Sequence, residues 1–204
     1  MKKGIPVNTV QKLIKEEFFE SGDFILDIGC GNGRFAADLR GLNIRYVGLD
    51  PIKNNITDAL YKFRDDPNFC FRWFDVENDS YNPSGRLDPY KVRFPFANET
   101  FNSILCHSVF THLGQPEVAE HYISEIKRVL KPQGKLWITF FKSPPNEIDY
   151  GTDRTVYFKR AIDKMLDGFE IVLSENGESL DYNDQWEIGA VKCSQSIVGD
   201  AEVL

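Results

Sequence analysis

Val10, Leu13, Ile14 and Phe18 recur at helical spacing behind Asn8 and Thr9, either of which can cap, so residues 9–20 are expected to form an amphipathic helix. It is expected to pack on a sheet or to cover the site that follows. From residue 24 the pattern changes. Short apolar runs at 24–28, 45–49, 69–74, 103–107 and 135–141 alternate with helical periodicity at 35–40, 57–63 and 116–130. Such alternation predicts a mostly parallel α/β sheet covered on both faces, because parallel strands need crossover helices. A further helix is expected over 156–166. The last two apolar runs, 169–173 and 186–191, are joined by a polar stretch with no room for a crossover, so they are expected to pair antiparallel.

With 204 residues the chain suits one well-buried domain. The expected division is a helical cap over 1–22, the main domain over 23–193 and a frayed tail over 194–204. Residues 77–94 form an irregular connection, long enough to suggest a functional loop, with a turn-rich core at Tyr81-Asn82-Pro83-Ser84-Gly85. The opening Met1-Lys2-Lys3 has no apolar segment behind it and no run is long enough to span a membrane, which points to a cytoplasmic protein. The net charge is −7 and neither Lys nor Arg gathers into a run. Binding to phosphate-rich polymers needs clustered positive charge, so a small molecule or a glycan is the expected partner and nucleic acid is not. Cys30, Cys70, Cys106 and Cys193 are widely spaced, which indicates neither a metal site nor a disulfide framework; buried reduced thiols are expected.

The densest chemistry lies at residues 24–35, where an apolar strand runs into glycines at every second position with a carboxylate just ahead. Glycine permits positive φ and lets a ligand approach the main chain. A dinucleotide fingerprint has its third glycine one residue later, on the helix that holds pyrophosphate; here Arg34 stands in that place. Asp27-Ile28-Gly29-Cys30-Gly31-Asn32-Gly33 resembles the first motif of class I S-adenosylmethionine-dependent methyltransferases, whose ligand is cationic. Residues 94–113 resemble that family's fourth-strand region and residues 125–135 its helix end and following turn, with Gly134 at the turn. Asn102 and Gln133 depart from the usual aspartate and glycine. The resemblance covers roughly residues 24–141 and implies a single Rossmann-like doubly wound sheet of strand order 3-2-1-4-5-7-6. It also implies S-adenosylmethionine as cofactor.

On that resemblance, Asp27, Gly29, Cys30, Gly31 and Gly33 line the cofactor turn, with Asp27 ordering it. Asp50 ends the second strand and accepts the ribose hydroxyls, with Pro51 and Ile52 beyond it as an apolar face for adenine. Asp75 and the Val76 N–H match the position that reads the adenine edge, and His107 borders the cofactor. Methyl transfer is a single displacement in which alignment alone can supply about 7–11 kcal/mol of the barrier. Where a base is needed, His107 at the end of the fourth strand is the candidate, since imidazole titrates near neutrality. His112 is expected to be structural and His121 exposed on a helix. Trp73 and Phe74 are expected in the core, while Tyr81, Tyr90, Tyr150 and Tyr157 rim the crevice without one standing out.

The implied activity is methyl transfer to an oxygen or nitrogen of a small molecule or glycan precursor. The alternative is a methyltransferase-like binding protein without catalysis. An aminopropyl transferase would want more acidic residues than 77–94 supplies, and the glycine spacing disfavours a nicotinamide dehydrogenase.

Overall fold

A computed structural model describes residues 9–142, 156–157, 159–176 and 185–194. Strands β1 (Phe24–Ile28), β2 (Arg45–Asp50), β3 (Phe69–Trp73), β4 (Phe101–Cys106) and β5 (Leu130–Lys142) form a parallel sheet. The two-residue strand β6 (Val156–Tyr157) runs parallel to the end of β5, while β7 (Phe169–Asn176) and β8 (Gln185–Lys192) pair antiparallel. β8 lies antiparallel beside β5 and β7 takes the sheet edge, giving the order β3-β2-β1-β4-β5-β8-β7. Counted without the short β6, this is 3-2-1-4-5-7-6 and the Rossmann-like arrangement anticipated from the motifs. No helix among the described residues is long and apolar enough to cross a membrane.

Adjacent strand residues feed opposite faces, as pleating requires. Ile25, Leu105 and Trp137 join one apolar cluster with Val10 and Leu13 of α1 (Thr9–Lys15), Leu39 of α2 (Arg34–Leu39) and Ile56 of α3 (Lys53–Lys62). Leu26, Ile104 and Leu136 join the other cluster with Ile126 of α4 (Pro116–Val129) and Ile162 of α5 (Lys159–Met165). Helix α1 therefore packs on the sheet.

Several boundaries differ from the sequence pattern for local reasons. The first helix stops at Lys15, not residue 20, because Glu17 takes a left-handed φ of 54°. Its N–H donates to the Ile14 carbonyl at 3.2 Å and the Phe18 N–H to that of Leu13 at 2.9 Å, a Schellman closure that folds Phe18 onto the core. The helix expected from 156 begins at Lys159, since β4 ends opposite Ile138 and leaves the later edge of β5 for Val156 and Tyr157. Residues 131–134, expected as a turn, are absorbed into β5 as a bulge: Phe101 pairs with Leu130, but Ser103 already pairs with Lys135. Gln133 carries this bulge at φ 61°, the position where glycine was expected, and its amide donates to Ser194 Oγ at 3.0 Å. Asn102 does the work of the expected aspartate without charge, its Oδ1 accepting from the Phe24 N–H and Lys131 Nζ. The tail beyond residue 194, residues 1–8 of the cap and Tyr150 lie outside the described residues.

The long connection returns to the sheet through a buried ion pair. Arg128 Nη2 lies 2.6 Å from Glu125 Oε2, its guanidinium also donates to the carbonyls of Phe94 and Phe96, and Glu125 accepts the Phe94 N–H at 2.7 Å. Removing one member leaves the other charge poorly solvated. Arg128→Met is therefore expected to lower the unfolding free energy by about 2–3 kcal/mol, read as a lower urea midpoint with unchanged slope.

Candidate functional site

The carboxyl ends of β1 to β4 meet where the strand order reverses, the place where open α/β sheets form a crevice. β1 leads into Gly29, Gly31 and Gly33 at φ 74°, 56° and 80°. Their surroundings differ in a way that separates packing from binding. A Cβ on Gly29 would sit 2.5 Å from Val109 Cγ2 and one on Gly33 would sit 2.9 Å from Phe63 Cε2, so both are kept bare by neighbouring side chains. A Cβ on Gly31 would meet nothing within 4 Å. Its bare backbone faces open space.

Asp50, buried at the tip of β2, holds this turn in place. Its Oδ2 accepts the Gly31 N–H at 2.8 Å, and its Oδ1 accepts the Ile52 N–H at 2.9 Å and Asn55 Nδ2 at 3.1 Å. A carboxylate offers about four lone-pair directions, so one on Oδ2 is left for a ligand hydroxyl. A second hydroxyl would have to displace a donor of the chain. Pro51 and Ile52 are half-buried beside it.

Asp27 is fully enclosed and accepts the Tyr46 hydroxyl at 2.5 Å. Burial pushes its carboxyl up to about 7, against the Tyr46 bond and with help from the negative Asp50. The Cys30 side chain turns away from the crevice: a Cβ on Gly48 would lie 2.6 Å from its sulfur, and burial raises its thiol far above the ordinary range. Only the Cys30 main chain is left to line the turn. Of the four free cysteines Cys30 and Cys106 are buried, but Cys70 and Cys193 are exposed, which corrects the expectation of buried thiols.

Asp75 is tied to the long loop. Arg86 Nε donates to its Oδ2 at 2.5 Å and Asn82 Nδ2 to its Oδ1 at 3.1 Å, while its carbonyl accepts the N–H groups of Arg86 and Leu87. The Arg86 bond, helped by Asn82, holds the carboxyl below its ordinary value. Val76 is buried and its N–H donates to the Phe74 carbonyl at 2.7 Å. Gly85 lets the loop close, since a Cβ there would lie 2.4 Å from the Glu77 nitrogen. Phe74 is in the core as expected. Trp73 is not: on the edge strand β3 it is 38% exposed, and its indole N–H donates to the Pro51 carbonyl at 2.9 Å at the rim.

Beyond β4, Ser108 adopts φ 57° and its N–H donates to Thr139 Oγ1 at 2.8 Å, and the segment 107–113 packs on Gly29 through Val109. His107, at one end, is half-buried with its ring edge-on to Phe35 and Nδ1 3.0 Å from Ser108 Oγ. Burial, then the charge of Arg34, pushes it down to about 4. His112, at the other end, meets the loop: its Nε2 lies 3.2 Å from the Tyr81 hydroxyl and its carbonyl accepts Asn78 Nδ2 at 2.8 Å. His121, expected exposed, is half-buried with Nε2 2.7 Å from the Val92 carbonyl. Sequence reasoning gives no site role to Tyr46, Asn55, Asn78, Asn82 or Arg86; the loop's asparagines and turn-rich core signal only Asn78 and Asn82, and nothing in the pattern signals Tyr46, Asn55 or Arg86.

A family model described as a methyltransferase domain matches residues 26–138. The mitochondrial ubiquinone biosynthesis O-methyltransferase of Bos taurus is 32% identical over 119 residues, which is 58% of this chain and 29% of that protein. The Homo sapiens protein of the same name is 30% identical over 115 residues, 56% of this chain and 28% of its own length. The chain thus spans less than a third of these curated relatives. Among solved structures, a SAM-dependent methyltransferase from Methanosarcina mazei superimposes with TM-score 0.67 at 19% identity, covering 88% of this chain and 97% of its own. The [4+2]-cyclase SpnF superimposes with TM-score 0.68 at 16% identity, covering 90% and 79%. These two likenesses concern the fold, which hosts more than one chemistry.

The two kinds of glycine separate by mutation. Gly29→Ala, strained and clashing, is expected to cost about 3 kcal/mol, and Gly31→Ala, strained only, about 1 kcal/mol, measured by chemical denaturation. The buried titrating groups give opposite pH slopes. The stability that Asp27 lends is complete below its unfolded value of about 4 and is lost as pH rises through about 7. That of His107 is complete above its unfolded value of about 6.5 and is lost as pH falls through about 4. Asp27→Asn is therefore expected to gain on the parent protein in melting temperature as pH rises from about 4 to about 7, and His107→Gln to gain on it as pH falls from about 6.5 to about 4.

Proposed function

This chain belongs to the class I S-adenosylmethionine-dependent methyltransferase family, and from that we infer that it moves a methyl group to an oxygen or nitrogen of a small molecule or glycan precursor. Oxygen is the favoured acceptor atom, since the curated relatives are named O-methyltransferases. The observation that carries the reading is Gly31, bare toward open space with its N–H anchored on Asp50. A ligand can lie on that backbone with a hydroxyl at the remaining position on Asp50.

The residues fit the family's cofactor. Asp50 would hold the ribose, Gly29, Gly31, Gly33 and the Cys30 main chain would border the amino-acid part, and Ile52 with Pro51 would cover one face of adenine. Asp75 would stand at the adenine edge while also anchoring the loop through Arg86 and Asn82, and Val76 would only border it, since its N–H is given to the Phe74 carbonyl. Asp27, buried behind the turn, would steady it and place a carboxyl near positive charge. When bound, S-adenosylmethionine supplies a methyl group on a positively charged sulfur. His107 would border the cofactor as a neutral wall; its low proton affinity makes it a poor base near neutral pH.

Isothermal calorimetry tests the reading. S-adenosylmethionine and S-adenosylhomocysteine are expected to bind, and Asp50→Ala to weaken both by about tenfold to a hundredfold or more, as loss of a charge-assisted bond of about 1.5–3 kcal/mol requires. No heat from either ligand, in a protein that melts cooperatively, would contradict it.

A further inference from the structure

We propose that Trp73 is a positioning residue for the adenine end of the crevice, acting through the peptide unit that joins Pro51 to Ile52. This rests on the methyl-transfer reading above, which gives Pro51 and Ile52 one face of the adenine ring and Asp75 its edge. Trp73 closes the edge strand β3 and pairs with Asp50 at the tip of β2, so it stands where those two strands leave the sheet.

The peptide unit between Pro51 and Ile52 is held at both ends. Its carbonyl accepts the Trp73 indole N–H at 2.9 Å, and its N–H donates to Asp50 Oδ1, also at 2.9 Å. Ile52 stands at the N-cap of α3, where its own carbonyl accepts the Ile56 N–H at 3.3 Å. These three bonds fix the Ile52 main chain at φ −88° and ψ 108°, and with it the direction in which the side chain leaves the backbone relative to Asp50. The indole and the ribose-binding acid thus grip one peptide from opposite ends.

The indole is itself located by charge. Lys53 Nζ, on the first residue of α3, lies over its ring at 5.0 Å from the centroid, and Arg86 Cζ at 5.8 Å. Arg86 is also the residue that donates to Asp75 Oδ2. The acid given to the adenine edge and the peptide given to the adenine face are therefore both tied to one ring.

Satisfying the Pro51 carbonyl does not by itself call for a tryptophan. A carbonyl at an exposed rim can bond water at little cost. What the indole adds is direction: a rigid ring with two torsions and a single donor holds the carbonyl along one line, which a water does not. Its partly exposed place on an edge strand, which the apolar pattern of β3 does not explain, is accounted for by this task.

The test uses the full chain, S-adenosylhomocysteine and calorimetry. Trp73→Phe, which keeps an aromatic ring and removes the N–H, is expected to weaken binding by about threefold to tenfold, the share of one neutral hydrogen bond. In an Ile52→Ala background the same substitution is expected to change binding by less than about twofold, because the side chain it positions is gone. A tryptophan that only steadies the fold would cost the same factor in both backgrounds. Coupling is reciprocal, so saturating S-adenosylhomocysteine is expected to slow hydrogen exchange of the Trp73 indole N–H in the parent protein by about threefold to tenfold as well, read by NMR among the resonances of its 3 tryptophans. That measurement needs no variant and decides the matter where Trp73→Phe does not melt cooperatively. Binding changed by less than about threefold in Trp73→Phe, an equal loss in both backgrounds, or an indole exchange rate that the ligand leaves unchanged would each overturn the proposal. S-adenosylhomocysteine that binds the parent protein with no regard to Trp73 sinks the positioning role alone, whereas no binding to the parent sinks the methyl-transfer reading.

Discussion

The hydrogen bond from the Gly31 N–H to Asp50 Oδ2, 2.8 Å long, ties the turn after β1 to the tip of β2, and the rest of the site is built outward from it. The same carboxylate takes the first free N–H beyond its own strand, that of Ile52, and the amide of Asn55, so one buried acid sets the exits of two strands. A buried carboxylate with three donors is stable where an unpartnered one would be costly. It is also unfinished: three donors leave one of the roughly four lone-pair positions, on the oxygen that holds the Gly31 N–H. The structural anchor is thus also the group proposed to take a ligand hydroxyl.

Behind this anchor the charge is arranged to wait for a cation. Asp50 lies close enough for its negative charge to disfavour a second one on Asp27, and Asp27, enclosed against Tyr46, holds its proton to about pH 7. A positive ligand would relieve that repulsion, while a pyrophosphate would add to it. On the other side, Asp75 is neutralised by Arg86, which stacks near Trp73 at 5.8 Å and brings the long loop over the end of β3. The loop therefore depends on Asp75 as much as a ligand would.

The sheet was legible because its strands are apolar on both faces and its connections are short, and because the terminal hairpin has no length for a crossover. The turn was legible because its glycines and acids are adjacent in sequence. Where the reading missed, the deciding contacts were long-range. Trp73 has the composition of a core residue, but β3 is an edge strand, and the indole N–H finds a carbonyl at the rim. The early end of α1 is set by the left-handed Glu17, which no propensity would choose. Gln133 in a glycine position is held by the Ser194 side chain, sixty-one positions away. The contact of His112 with Tyr81 depends on how residues 78–86 fold back on Asp75, and turn-forming asparagines do not reveal that.

The exits of β1 and β2 are proposed to cradle an adenosyl ligand. A crystal structure of the protein with S-adenosylhomocysteine tests it most directly. The expected result is ribose within hydrogen-bonding distance of Asp50 Oδ2, with the ligand's amino-acid arm lying across the Gly31 backbone. A ligand bound elsewhere with this turn empty, or a dinucleotide pyrophosphate resting on it, would contradict the account.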